Sequence, residues 1–392
     1  MHDVFILSGQ RTAIGDFGKS LKDIPPTRLG EIAIRAALAQ SGVAPAEIGH
    51  VVMGNVIHTE PRDAYISRVA AVDAGIPVGT PAMTVNRLCG SGLQAILSAA
   101  QSIMLGDTAL AIGGGAESMS RGGYLLPAER WGARLGDSKV VDMVVGALHD
   151  PFGHGHMGIT AENIAARYSL SRELQDEFSV ESHRRAALAI AEGRFKSQIT
   201  PVELPSRKGT TIFDTDEHVR DDISQEKLSA LKPAFKKDGT ITAGNASGLN
   251  DAGAALVLAS GAEVARRGAK PLARLVAYGH AGVEPDVMGL GPIPASQIAL
   301  KKAGLNIADI DIIESNEAFA SQACAVARDL GFDPTKTNPN GGAIALGHPI
   351  GASGAIIAIK AIFELHRTQT RYALVTMCIG GGQGITAIFE RV

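Results

Sequence analysis

Two cysteines and one histidine lie in glycine-rich turns and are the residues of this sequence best suited to chemistry. Cys89 lies in VNRLCGSGLQAI, and Cys378 ends the apolar run in VTMCIGGGQGI. His348 lies between them in the chain, in NPNGGAIALGHPIGASGAI. Because glycine allows tight turns and a close approach of backbone to ligand, these turns present their side chains instead of packing them. Two thiols and an imidazole presented in this way predict acyl transfer through a sulfur nucleophile.

Cys89 is predicted to lie at the start of a helix. The residues that follow, GSGLQAILSAAQSIMLGD, have helical apolar spacing that ends near Gly106. Unpaired N–H groups and the helix dipole favour a thiolate there, and can bring a cysteine pKa from ~8.5 into the range ~3.5–7.5. A buried core cysteine is the commoner alternative, but flanking glycines and the polar pair Asn86 and Arg87 favour a nucleophile. Cys324 lies on the apolar face of a predicted helix, where we expect a core role.

Groups near these turns are suited to stabilise a developing oxyanion. Cys378 ends a predicted strand, and the glycines beyond it, beginning with Gly380, expose backbone N–H groups that can hold an oxyanion. Asn316 ends another strand and begins the predicted helix NEAFASQACAVARDLG, with Glu317 in the first turn. Asn316 could take part in the chemistry or could cap this helix, and the spacing favours neither.

One internal duplication relates the two halves of the sequence. ALAQSGVAPAEIGHVV resembles ALKKAGLNIADIDIIE at an offset of 262, and this offset also carries Ser91 onto Ser353. It places Cys89 opposite Gly351, three residues beyond His348, so we expect the cysteine and histidine turns to be neighbours. LAIGGG resembles MCIGGG at an offset of 267, which requires a five-residue slip. A register kept over separated blocks indicates the duplication of a large unit, not a short repeat.

Each half is predicted to alternate strands with helices. VVMGN, IDIIESN, ALAIGGG and YALVTMCIGG are typical of buried strands, the last two ending in glycine turns, whereas EIAIRAALAQSG and ASQIALKKAG are typical of helices closed by glycine. This alternation predicts an α/β protein with helices covering its sheets. The intervening region holds Trp131 and many charged residues. We therefore divide the chain into a first core half, a loop domain covering the active site, a return to the first half and a second half, at 1–118, 119–250, 251–270 and 271–392.

Length and composition limit the class of protein. A chain of 392 residues exceeds one ordinary core, so more than one unit is expected. The 40 acidic and 37 basic residues leave a net charge of -3, which predicts no nucleic-acid partner. The first residues do not resemble a secretory signal, and no apolar run reaches 18 residues, so no membrane partner is expected. Three cysteines without a disulfide pattern fit a reducing compartment, and we expect a cytoplasmic protein.

Metal and dinucleotide sites are disfavoured. A zinc site built from Cys89, Cys378 and His348 would lack the C-x-x-C or H-x-x-H pair that most structural sites use. The glycine runs are not followed by an acidic residue at the spacing of a dinucleotide-binding fold. We therefore expect no metal.

Taken together, these stretches resemble the thiolase family over nearly the whole chain. The motifs that carry the resemblance are RTAIGDFGKSL, NRLCGSGLQAI, GGGAESMS, HMGITAEN, GNASGLNDAGAA, NEAFA, NPNGGAIALGHPIGASGA and CIGGGQGITAIF. The resemblance implies an α/β fold with a duplicated core in five layers, α-β-α-β-α, and a loop domain inserted in the first half. It implies reversible condensation of two acetyl-CoA to acetoacetyl-CoA and CoA, or thiolysis of short β-ketoacyl-CoA, by a ping-pong mechanism. CoA thioesters are then substrates, and no cofactor is needed.

The resemblance also implies roles for single residues. Cys89 would be the acylated nucleophile, His348 its activator and Cys378 the acid/base for the second substrate. Asn316, through a bound water, and His348 would form one oxyanion hole. The backbone N–H groups of Cys89 and Gly380 would form the second.

The loop domain would carry much of the CoA recognition. Arg220 offers a cation to the CoA phosphates, and Ser247 can bond the pantetheine amides. Methionine at Met288 is adaptable, which favours tolerance of acyl groups longer than acetyl. Arg207, Lys208, Lys236 and Lys237 are expected to be solvated surface. The expected substrate-binding residues are Leu148, His156, Met157, Arg220, Phe235, Ala243, Ser247, Met288, Ala318 and Phe319.

Other functions share parts of this pattern. A decarboxylating ketoacyl synthase has the same duplicated fold without a second catalytic cysteine, so Cys378 argues against it. A non-catalytic lipid carrier is disfavoured by the intact Cys89, His348 and Cys378. A degradative thiolase for β-ketoadipyl-CoA or longer 3-ketoacyl-CoA stays open, as does the physiological direction, in fatty acid or polyhydroxyalkanoate metabolism. The resemblance implies a homotetramer formed from two dimers, with acetyl-CoA, CoA and β-ketoacyl-CoA as binding partners.

Overall fold

The two halves of the chain fold into one layered core. The computed structural model describes residues 2–207 and 209–392; Lys208 lies outside these residues. Within them, ten strands form one mixed sheet and the other strands form two small hairpins. The strands are β1 (Val4–Arg11), β2 (Gly15–Asp16), β3 (His50–Gly54), β4 (Ala82–Val85), β5 (Leu110–Ser118), β6 (Tyr124–Leu125), β7 (Val141–Asp142), β8 (Val202–Ser206), β9 (Gly209–Phe213), β10 (Asn250–Ser260), β11 (Ala273–Gly282), β12 (Ile312–Ser315), β13 (Tyr372–Ile379) and β14 (Gln383–Arg391).

Helices alternate with the strands in both halves, as the apolar spacing predicted. Gly42, Gly106 and Gly304 end three of them in the left-handed conformation that glycine adopts without strain. The helices are α1 (Pro26–Ser41), α2 (Ile66–Asp73), α3 (Ser91–Leu105), α4 (Met143–Ala147), α5 (Met157–Tyr168), α6 (Arg172–Ala191), α7 (Gln225–Ser229), α8 (Gly261–Arg267), α9 (Pro292–Ala303), α10 (Ala320–Leu330), α11 (Ala343–Leu346) and α12 (Ile350–Thr368).

The sheet consists of two half-sheets with the same strand order. Nine of its strands follow the order β12-β13-β14-β11-β1-β10-β5-β3-β4, and the tenth, β2, pairs with β10. Strand β1 meets β11 through two residue pairs at the centre. In the first half His50 pairs with Ala111, and in the second Ile312 pairs with Ala373, so both partners are shifted by the predicted 262 residues. A bridge from Ile313 to Thr337 occupies the place of β4 in the second half. The duplication is therefore confirmed at the level of strand register.

The five-residue slip to an offset of 267 is wrong. The glycines 113–115 lie inside β5, whereas 380–382 form the turn between β13 and β14. A Cβ at Gly113 would overlap the backbone of Ile96 in α3, and one at Gly115 would overlap the carbonyl oxygen of Gly351 in α12. The first glycine run thus allows helices to approach a strand, and the second makes a turn, so the two runs look alike for different physical reasons.

The described residues stack in five layers. Helices α3 and α12 pack against each other between the half-sheets and form the central apolar cluster with both. Helices α1 and α2 cover the outer face of the first half-sheet, and α9 and α10 cover that of the second. Each half-sheet is thereby covered on both faces. This arrangement is the predicted α-β-α-β-α core.

An insertion lies outside the main sheet. Between the end of β5 at Ser118 and the start of β10 at Asn250 the chain forms the hairpins β6–β7 and β8–β9 and the helices α4 to α7. Helices α5 and α6 of this insertion pack against α10. The insertion therefore contacts the second half of the chain, although it leaves the first. The division into units at 1–118, 119–250, 251–270 and 271–392 stays a prediction.

The stretch that contains α3 also has the length and composition of a membrane span. Among the residues the structure describes, the stretch Leu88–Leu105 passes this test, with a mean hydropathy of 1.3. Because 56% of the stretch is buried inside the fold, its apolar character belongs to the core between the half-sheets.

Candidate active site

The turns of Cys89, His348 and Cys378 open onto one cavity of about 410 Å³. Asn316 does not line the cavity, but its Nδ2 lies 3.4 Å from Nε2 of His348. Other lining residues were not anticipated from the sequence, among them Leu88, Met119, Val144, His218, Leu249 and Ile350. The sequence-predicted residues that line it are Cys89, Leu148, His156, Met157, Arg220, Phe235, Ala243, Ser247, Met288, Ala318, Phe319, His348, Cys378 and Gly380.

The Cys89 turn is held by hydrogen bonds within the segment that precedes α3. Leu88 has a φ of 45°, in the left-handed region that a bulky residue rarely adopts. The Oγ of Ser91 accepts a hydrogen bond from the N–H of Arg87 at 2.8 Å and donates one to the carbonyl of Leu88 at 2.6 Å. The Oδ1 of Asn86 accepts from the N–H of Leu88 at 2.9 Å. These bonds fix the strained residue next to Cys89.

The pKa of Cys89 contradicts the prediction from its helical position. Burial raises the pKa of the Cys89 thiol to about 11, against a backbone hydrogen bond from Gly380 that lowers it, and the nearby carboxylate of Glu117 also raises it. The desolvation of the thiolate therefore raises the pKa by more than the N-terminus of α3 lowers it, and the extent of desolvation depends on tertiary packing. At neutral pH Cys89 is a thiol and needs a base.

His348 is oriented by three neighbours. Its backbone N–H donates to Oδ1 of Asn250 at 2.8 Å, its Nδ1 lies 2.7 Å from Oγ of Ser353, and its Nε2 lies 3.4 Å from Nδ2 of Asn316. Burial lowers the pKa of His348 to about 4, so the imidazole is neutral at physiological pH. A neutral imidazole is the form that can accept a proton from a thiol.

Asn316 does not cap a helix, so that alternative is wrong. Strand β12 ends at Ser315, and α10 begins at Ala320 with Phe319 as its capping residue. The backbone N–H of Asn316 instead donates to the carbonyl of Thr376, which continues the pairing of β12 with β13. The Oδ1 of Asn316 is buried without a hydrogen-bond partner among the described residues. This oxygen is therefore available to accept a hydrogen bond, whereas the Nδ2 of the same amide lies against His348.

Glu317 is likewise not in a first helical turn. It is buried and accepts hydrogen bonds from Oγ of Ser182 at 2.6 Å and Nδ2 of Asn338 at 2.7 Å. The four residues between β12 and α10 thus form an extended connection, which local spacing in ESNEAFA did not reveal.

Cys378 lies in β13, one residue before the strand ends at Ile379, at the wall of the cavity. Burial is the main influence that raises its pKa far above the usual range, and the adjacent Cys89 raises it further. The turn that follows bends at Gly381 and Gly382, whose φ values of 81° and 86° are ones that glycine tolerates. This confirms the predicted strand and glycine turn. The backbone of Gly380 lies close enough to the Cys89 thiol to lower its pKa, so the two cysteine turns are neighbours.

Aromatic rings from the insertion and from the second half form one wall of the cavity. The rings of His156 and Phe235 stack with their centroids 4.7 Å apart and an interplanar angle of 17°. Phe235 meets Phe319 edge to face at 6.3 Å. The Nδ1 of His156 accepts from the N–H of Gly158 at 3.0 Å and so caps α5. Burial lowers the pKa of His156, which favours its neutral form.

Arg220 lies at the cavity on a segment tied to the start of the chain. The Nδ1 of His218 lies 2.8 Å from Oδ1 of Asp16, and the N–H of Arg220 donates to Nδ1 of His183 at 3.0 Å. Arg207, Lys236 and Lys237 do not line the cavity, in keeping with their expected place on the surface.

Comparison with protein families identifies the architecture. Residues 4–262 match the model of the thiolase N-terminal domain, and residues 269–391 match that of the thiolase C-terminal domain. The chain belongs to the thiolase family. It has the thiolase fold and is an acyltransferase.

Similar proteins match this thiolase over its whole length. The chain is 64% identical over 391 residues to "Beta-ketothiolase BktB" of Cupriavidus necator, covering 100% of this chain and 99% of the relative. It is 49% identical to "Acetyl-CoA acetyltransferase" of the same organism, covering 100% of each chain. The crystal structure of human mitochondrial 3-ketoacyl-CoA thiolase in complex with CoA matches with a TM-score of 0.97 and 43% identity, covering 100% of this chain and 98% of that one.

Two residues that the sequence analysis did not assign to the site hold His348 in place. Ser353 and Asn250 bond His348, and Ser353 had already been matched to Ser91 by the internal repeat without being given a role. Asn250 also approaches Gly347 so closely that a Cβ there would overlap its side chain. The histidine turn is therefore shaped by residues from both halves.

Glu117, within the motif GGGAESMS, was also missed. Its carboxylate accepts from the backbone N–H groups of Val56, Ile57 and Gly351 and from Nδ2 of Asn55, at 2.8–3.1 Å. Burial raises the pKa of Glu117 to about 8, although these backbone bonds lower it. Through Gly351 it joins the start of α12 to the first half-sheet, close to Cys89.

The described residues contain no group of three or more His, Cys, Asp or Glu side chains that could hold a metal ion. In particular, Cys89, Cys378 and His348 do not form such a group there.

Proposed function

We propose that this chain catalyses the reversible Claisen condensation of two acetyl-CoA to acetoacetyl-CoA and CoA, and the thiolysis of short β-ketoacyl-CoA, through an S-acyl-Cys89 intermediate. The observation that carries the proposal is the meeting of Cys89, His348 and Cys378 at one cavity. The CoA thioesters are the substrates, and the reaction needs no cofactor. The relatives named beta-ketothiolase and acetyl-CoA acetyltransferase support it.

Acylation begins with a proton transfer. Neutral His348 takes the S–H proton of Cys89, and the thiolate attacks the thioester carbonyl. The nearby amide of Asn316, through a water, and the imidazole of His348 stabilise the oxyanion. CoA leaves as a thiol with the proton of Cys378, so that S-acetyl-Cys89, an imidazolium and the Cys378 thiolate remain. Because the pKa values of both thiols are raised, each thiol is expected to pass its proton directly to a defined partner and not to lose it to solvent.

Condensation uses the second cysteine. The raised pKa of Cys378 makes its thiolate a strong base, which is matched to the weakly acidic α-carbon of the second acetyl-CoA. The resulting carbanion attacks the acetyl group on Cys89, and the backbone N–H groups of Cys89 and Gly380 hold the oxyanion. The carbon–sulfur bond then breaks, and the imidazolium of His348 returns its proton to Cys89. All three groups regain their starting protonation states.

CoA binds along the wall formed by the insertion. Arg220 is available for the CoA phosphates, and Ser247 for the pantetheine amides. The solved human thiolase in complex with CoA supports CoA as the bound molecule, and the roles of Arg220 and Ser247 rest on their place in the cavity wall. Further contacts that we propose for CoA or the acyl group are those of Leu148, His156, Met157, Phe235, Ala243, Met288, Ala318 and Phe319.

The cavity near the cysteines favours uncharged acyl groups. Leu88, Met157, Met288 and Ile350 line it, and methionine adapts to chains of different length. This apolar lining supports short or medium β-ketoacyl-CoA, and the 64% identical relative named beta-ketothiolase agrees. A β-ketoadipyl chain would leave a carboxylate among these side chains, so a degradative enzyme for that substrate is the less favoured alternative.

We also propose a cytoplasmic homotetramer, a dimer of dimers. Large apolar side chains are exposed on the β6–β7 hairpin and the loop within it, including Trp131 at 83% and Leu135 at 100%. Exposed apolar side chains concentrated on one projecting segment support contacts between subunits. Sedimentation velocity at micromolar concentration is expected to give a tetramer, and a stable monomer would contradict the proposal.

The decisive experiment is acetyl labelling. We expect incubation with acetyl-CoA to add one acetyl group, located on Cys89 by peptide mass spectrometry, in wild type and in the matched control Cys324→Ala. Cys89→Ser is expected to bind CoA without being labelled, because a hydroxyl is a far poorer nucleophile than a thiolate. Label on Cys378 or Cys324 would contradict the mechanism.

Substrate class is tested by steady-state thiolysis. We expect acetoacetyl-CoA and β-ketovaleryl-CoA to be cleaved, and β-ketoadipyl-CoA to be cleaved with a much lower kcat/KM. The reverse order would favour the degradative alternative while leaving the labelling result intact.

A further inference from the structure

The hydroxyl of Ser353 lies between the imidazole of His348 and the start of α12. Its Oγ is 2.7 Å from Nδ1 of His348 and 2.9 Å from the carbonyl oxygen of Pro349. The residue is buried, with 3% of its surface exposed. A hydroxyl has one proton to donate and lone pairs to accept. Its two partners therefore decide where the protons lie.

The carbonyl of Pro349 can only accept a hydrogen bond, so the proton of Ser353 points to it. If that proton pointed to His348 instead, two oxygen lone pairs would face each other at 2.9 Å. The Oγ must then accept a hydrogen bond from the N–H at Nδ1 of His348. This leaves Nε2 without a proton, which agrees with the donor Nδ2 of Asn316 on that side at 3.4 Å.

We propose that Ser353 is a positioning residue that holds His348 in the Nδ1–H tautomer and so leaves Nε2 ready to accept the proton of Cys89. The inference rests on the proposed function. In the acylation step the S–H bond of Cys89 breaks, an N–H bond forms at Nε2, and the sulfur electron pair attacks the thioester carbonyl. Without an acceptor at Nδ1, the neutral imidazole can carry its proton on Nε2 instead. That tautomer has no free lone pair at Nε2 and cannot accept the proton of Cys89 there.

The internal duplication gives this serine a counterpart that works in the same way. Ser91, at the offset of 262, also donates back to a carbonyl before its helix, that of Leu88, and uses its lone pair to accept from the N–H of Arg87. In the second half the equivalent lone pair accepts from the imidazole of His348. The same hydroxyl thus fixes a backbone turn in one copy and a tautomer in the other.

The test measures single-turnover acetylation of Cys89 by acetyl-CoA. Ser353→Ala is expected to lower the first-order acetylation rate by about 10²-fold, within the range of general-base catalysis, with the apparent affinity for acetyl-CoA unchanged. Ser353→Thr keeps the hydroxyl and is expected to retain a rate close to wild type. Ser179→Ala is the matched control, because Ser179 is also buried and donates to a helical carbonyl at 2.8 Å, but in α6. We expect it to acetylate at the wild-type rate.

A double-mutant cycle separates positioning from a general structural role. In the His348→Ala background, Ser353→Ala is expected to change the rate by no more than about twofold, because a residue that acts through His348 has nothing left to act on. A further loss as large as that in wild type would overturn the proposal. So would a Ser353→Thr variant as slow as Ser353→Ala.

Two further measurements keep the result decisive. If Ser353→Ala does not fold, Ser353→Cys fills the site with a weak donor and acceptor, and is expected to be slow as well. A wild-type acetylation rate in folded Ser353→Ala or Ser353→Cys would overturn the role of Ser353. Failure of the wild-type protein to acetylate Cys89 would instead overturn the proposed function, so the two failures are distinguishable.

Discussion

A buried ion pair joins the start of the chain to the segment that carries Arg220. The guanidinium of Arg11 donates to both carboxylate oxygens of Asp216, at 2.7 and 2.9 Å, and neither side chain is exposed. The N–H of Ile14 also donates to Oδ1 of Asp216 at 2.8 Å. Asp216→Asn replaces one acceptor oxygen by an amide that donates, and leaves the Arg11 charge buried without its counter-charge.

The cost of this change follows from the burial of the pair. Removing one partner of a buried ion pair typically costs about 3–5 kcal/mol, because the remaining charge stays desolvated. We therefore expect the free energy of unfolding to fall by about that amount, roughly a factor of 10²–10⁴ in the equilibrium constant. Two residues further on, His218 lines the cavity. A shift of the segment that carries His218 and Arg220 is expected to weaken CoA binding by about the free energy of one charged hydrogen bond. The KM for CoA in thiolysis should therefore rise by about tenfold, with kcat less affected.

Urea denaturation followed by circular dichroism measures the first effect, and steady-state thiolysis the second. Asp222→Asn is the matched control, because Asp222 pairs with Lys227 while both side chains are mostly exposed, at 72% and 58%. Exposed pairs contribute about 0–1 kcal/mol, so this variant should unfold like wild type. The reasoning is refuted if Asp216→Asn unfolds within about 1 kcal/mol of wild type.

Three further predictions concern the thiols and the glycines. Alkylation of Cys89 by iodoacetamide should accelerate with pH towards its pKa of about 11, since only the thiolate reacts; a plateau below pH ~7.5 would indicate a lowered pKa. Cys378→Ala should still acetylate Cys89, although more slowly because the proton for the departing CoA is lost, and should form acetoacetyl-CoA about 10²–10⁴-fold more slowly without solvent deuterium exchange into the acetyl methyl; near wild-type condensation would contradict the two-cysteine mechanism. Gly115→Ala should lower the free energy of unfolding in urea by about 1–3 kcal/mol, since its Cβ would overlap the Gly351 carbonyl, whereas Gly79→Ala, with open space, should not.

Much of the fold was predictable because the duplication and the apolar periodicity of the helices and strands are visible in the amino-acid sequence itself. The offset of 262 predicted which elements correspond, and β3 with β12 and α3 with α12 follow it. Glycines at helix ends, such as Gly42 and Gly304, mark stops that depend on local backbone conformation. The false offset of 267 arose where similar glycine runs serve helix packing in one half and a turn in the other. Local sequence does not distinguish these uses.

The electrostatics of the site could not be predicted from local sequence. The position of Cys89 before α3 was predicted correctly, yet its pKa moves in the opposite direction because the surrounding core desolvates the thiolate. The partners of His348 come from positions 98 residues upstream, at Asn250, and five residues downstream, at Ser353. Burial and such contacts are properties of the folded chain.

The position in the second half that is equivalent to Cys89 has no room for a side chain. Gly351 occupies that position in the second half, and its N–H donates to Glu117 at 2.8 Å. A Cβ at Gly351 would press on the Glu117 carboxylate and on the backbone of Asn55, so any side chain there would disturb the contact between the two halves. The second thiol, Cys378, instead comes from the last two residues of β13 and lines the same cavity as Cys89. The packing between the two halves therefore leaves the end of β13, and not the position of Gly351 in α12, open to a second thiol.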